Sequence, residues 1–321
     1  AETVEAVVPD TNDDIARVAS LQTMLLLKGK DISARGITVT GEARACMLYI
    51  TEGGTVQSVQ LAREFSIEYE SDAVLDEKLT HVALSVNAAE TRVLNPRKVA
   101  VTFEICGELW AYSREELCVS ASAGDTPCRV YAKQERCSAT PVIAVTEKTF
   151  VLTEQFAFAD SKPQPAALLS QNIEYELAEI NVISGRAVVK GNVRLKLCYA
   201  SDGADYPVTA EFSSPFSQLI DVPDTDTSGC AARVEINGAY LNIIDTINGT
   251  KAVDVELHCL TELVCFGREE VQYISDMYCN TAALTPRMGK LSIPSDCELR
   301  RVSLSFSESI EAPEDCADVL A

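Results

Sequence analysis

Polar and apolar residues alternate along most of the chain with a period of two. From Ile37 the odd positions read Ile37, Val39, Gly41, Ala43, Ala45, Met47 and Tyr49. The even positions read Thr38, Thr40, Glu42, Arg44, Cys46 and Leu48. Successive side chains of a strand point to opposite faces, so this pattern predicts a strand with one buried face. It runs into Glu52-Gly53-Gly54-Thr55 and is followed by Val56 to Leu61 and then Phe65, Ile67 and Tyr69. Two such runs around a Gly-rich connection predict a hairpin. Val99, Val101, Phe103 and Ile105 repeat the alternation further on. Helical signals are short. Asp10 to Asp14 before Ile15-Ala16-Arg17-Val18 predicts a capped helical turn, and Ser113 to Leu117 another. The expected class is all-β: two tandem sandwich-like or open-barrel domains with short helical turns.

A shift of 150 residues lays one half of the chain over the other. Gly41, Arg44 and Tyr49 fall on Gly191, Arg194 and Tyr199, and the inward positions stay apolar in both halves. Phe65 falls on Phe216 after a one-residue slip. Val99, Val101 and Phe103 fall on Val253, Val255 and Leu257, and Cys137 is paired with Cys279 as the weakest correspondence. Such slips are what loop insertions produce. A second element occurs three times, an apolar stretch followed by an acidic, Pro-containing turn: Val4 to Val18, Phe150 to Leu168 and Val302 to Leu320. The expected organisation is a first β domain with its lead-in at 1–130, a second at 131–282, and a strand-rich segment at 283–321 that repeats the lead-in without a body after it. That last segment reads as the stump of a longer protein or as a strand packing in cis, with addition to a neighbouring molecule as the alternative.

The length of 321 residues suits two domains, and 47% apolar residues suffice for a core. At roughly 150 residues each, such domains bury about 70% of their unfolded surface and need no metal or disulfide to fold. The net charge of −21 argues against a nucleic-acid or anionic-membrane partner. The densest apolar run, Met24 to Leu27, is far too short for a membrane span and is followed by Lys28 and Lys30. The N-terminal residues show no basic region followed by an apolar one, so no signal peptide is read.

Candidate chemistry is sparse. His81 and His258 are the two histidines, and neither has a visible catalytic partner, so each reads as structural or solvated. No nucleophile elbow, phosphate loop or dinucleotide glycine pattern occurs. The turn from Asp221 to Gly229, with Asp224 and Asp226, has the oxygen donors a Ca²⁺ ion takes, but not EF-hand spacing; it reads as a solvated loop. Of the twelve cysteines, Cys46, Cys106, Cys198, Cys259 and Cys265 lie in strand patterns and read as small apolar groups. Cys118, Cys128, Cys137, Cys230, Cys279, Cys297 and Cys316 lie near turns or segment ends, where cross-linking between chains is open to them. No cysteine spacing suits zinc. No catalytic, metal-binding or cofactor-binding residue is assigned, and no cofactor is implied.

Val8-Pro9-Asp10, Asp14 to Val18, the Gly-centred strand ending in Leu48-Tyr49, Leu94-Asn95-Pro96-Arg97-Lys98-Val99 and Phe216 to Pro223 together resemble the SPOCS domain family of sporulating Firmicutes. The likeness extends over nearly the whole chain in two copies. The resemblance implies a non-enzymatic structural role in the spore envelope, at the coat or cortex, with the mother-cell cytoplasm as a place of assembly. Some relatives carry a C-terminal LysM module; no such segment follows Cys316. The partners expected are proteins, chiefly further copies of the chain in a head-to-tail filament, since a heterologous contact that does not close propagates. A module binding wall polysaccharide or peptidoglycan is the alternative. A hydrolase built on paired carboxylates is the third reading.

Overall fold

The computed structural model describes all residues except 73–74, 77–78, 114–117, 123–128, 160, 203, 205, 224–226, 286 and 294–321. The described residues form an all-β protein of antiparallel strands: β1 (Glu2–Val7), β2 (Ile15–Ser33), β3 (Gly36–Thr51), β4 (Val56–Glu70), β5 (Thr80–Asn95), β6 (Lys98–Ala111), β7 (Val130–Ala139), β8 (Val142–Ala157), β9 (Ala167–Ile183), β10 (Arg186–Ala200), β11 (Val208–Asp221), β12 (Thr227–Asp245), β13 (Lys251–Gly267) and β14 (Glu269–Cys279). The first six make two three-stranded sheets, β1-β6-β5 and β2-β3-β4. The same arrangement recurs as β8-β13-β12 and β9-β10-β11, and β7 pairs with β14 in a separate ribbon. The turn expected to be helical before Ile15 is instead the loop between β1 and β2, and residues 15–18 open a strand. Alternation decides it, because a single turn of helix cannot bury the inward stripe that a long hairpin partner does. Most of the other expected helical turn, 114–117, lies outside the described residues.

Each pair of sheets closes over its own core. Val99, Val101 and Phe103 are fully buried in the first with Ala43, Met47 and Tyr49. Val253, Val255, Leu257, Ala187, Val189, Leu197 and Tyr199 fill the second. The repeat reaches into backbone irregularities. Lys28 is skipped between the pairs Leu27–Gly41 and Gly29–Thr40, and Ala178 is skipped between Glu179–Lys190 and Leu177–Gly191. These bulges bend β2 and β9 over their partners. Beside each lies a glycine covered by an opposed phenylalanine. A Cβ on Gly41 would sit 2.4 Å from Phe65 Cζ and 2.7 Å from the Leu26 carbonyl; one on Gly191 would sit 2.4 Å from the Glu176 carbonyl and 2.6 Å from Phe216 Cζ. The glycines are there because the ring and the bent strand occupy that space.

Both lead-in loops are tied down by a buried tyrosine. The Tyr49 hydroxyl lies 3.1 Å from the Asp13 carbonyl, and the Tyr199 hydroxyl donates to the Pro163 carbonyl at 3.0 Å. In the first unit Arg97 adds a clamp. Its guanidinium donates to the carbonyls of Val8 (3.2 Å), Pro9 (3.0 Å) and Asn12 (3.2 Å) and to Asp14 (2.7 Å). Tyr49 and Arg97, two of the motif residues that carry the family resemblance, are thus anchors of a loop. Cys137 and Cys279, aligned above as repeat equivalents, lie on β7 and β14, which follow β6 and β13 in the two halves and pair with each other in one ribbon, where Cys137 faces Val271 and Cys279 faces Val130. The segment 302–320 lies outside the described residues.

Candidate functional site

The two units meet along β2, β3, β4 and β5 on one side and β8, β9, β12 and β13 on the other. The contact has a polar cleft at one end and a buried ion cluster at the other. The cluster starts from an unfavourable pairing. Glu262 on β13 stands directly opposite Glu147 on β8. Like charges opposed on neighbouring strands repel. Lys30, carried by β2 of the other unit, inserts its ammonium between them, in contact with Glu147 and 3.2 Å from Glu262. Lys30 and Glu262 side chains keep only 11% and 9% of their exposure. His81 of β5 completes the group with Nδ1 2.9 Å from Glu262, and its ring stacks on Trp110 of β6 at a centroid distance of 4.3 Å.

The protonation equilibria follow from this geometry. Burial alone drives the Lys30 ammonium toward neutrality, but the hydrogen bond to Glu147 and the two carboxylate charges outweigh it and hold its pKa above the ordinary lysine value. Burial raises Glu147, against Lys30. Burial also pulls Glu262 upward, yet His81, the Lys30 charge and the hydrogen bond from Glu147 hold it below the usual carboxylate range. The two glutamates thus share their environment unequally, and Glu147 is the one that takes up a proton first.

Beyond the cluster, Arg44 Nη1 donates to the Ala239 carbonyl of β12 at 3.2 Å while its Nε holds Glu42 at 2.5 Å. The Cys46 thiol donates to the Leu169 carbonyl at 3.0 Å. Leu169 is the residue skipped between the pairs Ser170–Cys198 and Leu168–Tyr199, so a bulge presents that carbonyl outward. Burial lifts the Cys46 thiol to about 11, with the neighbouring Cys198 adding to the effect. Around these ties lies a cleft of about 530 Å³, lined by Gln22, Gln60, Asn172, Asn242, Tyr240 and the Glu42–Arg44 pair among others. That is the volume of an ordinary small-molecule pocket, but the lining is rich in amides.

Residues 166–244 match the family model SipL, SPOCS domain. The SPOCS match runs from the start of β9 almost to the end of β12, so it falls on the second unit, and it points to a sporulation-related protein. The chain matches no curated protein and no solved structure.

The residues singled out from the sequence fall apart in space. His81 belongs to the ion cluster. His258 shares the outward face of β13 with Glu262 but stands apart from the cluster, with Nε2 2.6 Å from Glu256 and its ring edge-on to Tyr240. Asp221 pairs with Arg186 at 3.4 Å, while Asp224 and Asp226 of the acidic turn lie outside the described residues. Cys230, placed near a turn from the sequence, is a buried residue of β12. Cys106, read as buried, is exposed. Cys128, Cys297 and Cys316 lie outside the described residues. Lys30, Glu147 and Glu262 were not singled out. The signal was Glu262 itself, a charge inside the apolar run from Leu257 to Phe266, but its partner could be known only from register and docking. The opposed carboxylates closest to the paired-acid reading are therefore filled by Lys30 rather than set across a cleft.

Proposed function

We propose that the protein is a non-enzymatic structural component of the spore envelope that works through protein–protein contacts and associates head to tail with copies of itself by strand addition. The first unit, with the same strand order as the SPOCS-matched second unit, is read as a second copy of that domain. The observation that carries the proposal is the ribbon of β7 and β14. Among the described residues each of these strands pairs only with the other; the Ile274 N–H donates to the Ser120 carbonyl at 2.8 Å, and no third strand covers either outer edge. The cross-strand pair Tyr131 and Tyr278 stacks at 5.0 Å on this ribbon, with Tyr278 58% exposed. A two-stranded ribbon is marginal by itself and gains from a third strand. The donor favoured is the third lead-in, 302–321. Electron microscopy and light scattering of the purified chain test this. Polymers that shorten or vanish on deletion of 302–321 support the reading, and single particles at all concentrations, or polymers unchanged by the deletion, refute the strand-addition scheme.

A second reading rests on the inter-unit cleft. Side-chain amides, one charged pair and the half-exposed ring of Tyr240 are groups that suit a wall polysaccharide. Pull-down with purified wall material distinguishes the two: retention lost in Tyr240→Ala favours the binding module.

A further inference from the structure

Cys230 and Cys265 stand directly opposite each other on β12 and β13, and both side chains are buried in the core of the second unit. Their sulfurs are 3.4 Å apart, with the Cys230 thiol donating to Cys265. Opposed residues of an antiparallel pair have Cα atoms about 4.5–5.5 Å apart, inside the range a disulfide accepts. Forming the bond requires the sulfurs to close by about 1.4 Å, a change within the reach of χ1 rotations on two strands already held in register. We propose that this pair is a site of oxidative modification, an intrachain disulfide that staples the outer strand β12 to β13.

Three further features favour it. The hydrogen bond from Cys230 holds the Cys265 thiol below its ordinary range, so Cys265 is the nucleophile. Cys230 lies at the start of an outer strand, immediately after the irregularity between Thr227 and Gly229. Cys230 keeps 8% of its exposure where Cys265 keeps none, and β12 is an edge strand of its sheet, so opening of that strand end admits a small oxidant to the pair. The oxidant class that fits is a peroxide. The Cys265 thiolate attacks one peroxide oxygen, an S–O bond forms as the O–O bond breaks, and the departing hydroxide takes the thiol proton to give water. The Cys230 sulfur then displaces hydroxide from the sulfenic sulfur. The S–S bond forms, the S–O bond breaks, and the Cys230 proton leaves with the hydroxide as a second water. Two thiols lose two electrons and two protons, and one peroxide becomes two waters.

The test uses the full chain, fully reduced and then treated with hydrogen peroxide. Remaining thiols are alkylated, and the protein is cleaved at arginine, lysine and glutamate so that Cys230 separates from Cys198 and Cys265 from Cys259. The expected product is a cross-linked peptide pair containing Cys230 and Cys265, reversed by a phosphine reductant. The staple closes a loop from 230 to 265, so oxidation is expected to raise the melting temperature by about 5–10 °C. That rise should be absent in Cys230→Ser. Cys230 and Cys265 recovered as alkylated thiols, as sulfinic or sulfonic acids, or linked to other cysteines would each overturn the proposal. The peptide map on the unmodified chain stands even if the serine variant does not fold.

Discussion

Replacing Lys30 by Met removes the one cation between Glu147 and Glu262 and keeps most of the volume of the stem. The structure bounds the cost. Lys30 and Glu262 are nearly dry, and breaking a buried ion pair by deleting one partner costs about 3–5 kcal/mol. Glu147 retains 35% side-chain exposure, and water there screens part of the repulsion. Glu147 also takes up a proton readily, and His81 still faces Glu262. The expected loss at pH 8 is therefore about 2–3 kcal/mol. The pH dependence has a definite sign. Without the cation both carboxylates have folded-state pKa values above their unfolded ones. The variant is thus least impaired below the unfolded glutamate pKa and loses stability as pH rises through the raised folded values. The deficit should shrink to about 1 kcal/mol near pH 4.5. Trp110 is the single tryptophan and stacks on His81, so urea unfolding followed by its fluorescence reads this interface directly. A deficit under about 0.5 kcal/mol at pH 8, or one equal at both pH values, would refute the account of the cluster as an inter-unit tie.

Other expectations concern the repeated scaffold. Gly191→Ala should destabilise by about 2–3 kcal/mol in chemical denaturation, because the new methyl meets the Glu176 carbonyl and the Phe216 ring; Gly41→Ala should do the same in the first unit. Tyr199→Phe leaves the Pro163 carbonyl without its donor and should cost about 1 kcal/mol, seen as a lower urea midpoint with an unchanged slope. Arg97→Ala should cost about 1.5–3 kcal/mol and speed amide exchange at residues 8–14, since three carbonyls and Asp14 lose one shared donor. Exchange confined to that loop at wild-type rates would show that the backbone bonds from Val8 and Ile15 to the 96–97 corner suffice without it.

The period-two alternation, the hairpin turn at 52–55 and the 150-residue repeat identified the strand class and the paired glycines, phenylalanines and tyrosines directly. Those features are local, or depend on a residue type with one physical use: a glycine under a ring, a tyrosine whose hydroxyl must find a partner. The repeat also carried its own limit. Arg44 and Arg194 align in sequence, yet Arg44 reaches across to the Ala239 carbonyl while Arg194 pairs with Glu176 of its own sheet at 3.2 Å. Alignment establishes a shared position on a strand, whereas contact depends on what packs against it.

Strand identity and inward face were thus settled by the order of residues, because each is set within one strand and its neighbour. The pairing of β7 with β14, the meeting of Lys30 with Glu147 and Glu262, and the approach of Cys230 to Cys265 were settled only in three dimensions. Each joins residues far apart in the chain, through register and docking that no local pattern encodes. A one-residue slip of β13 against β8 would send Glu262 to the other face, and the same sequence would then present no site for Lys30.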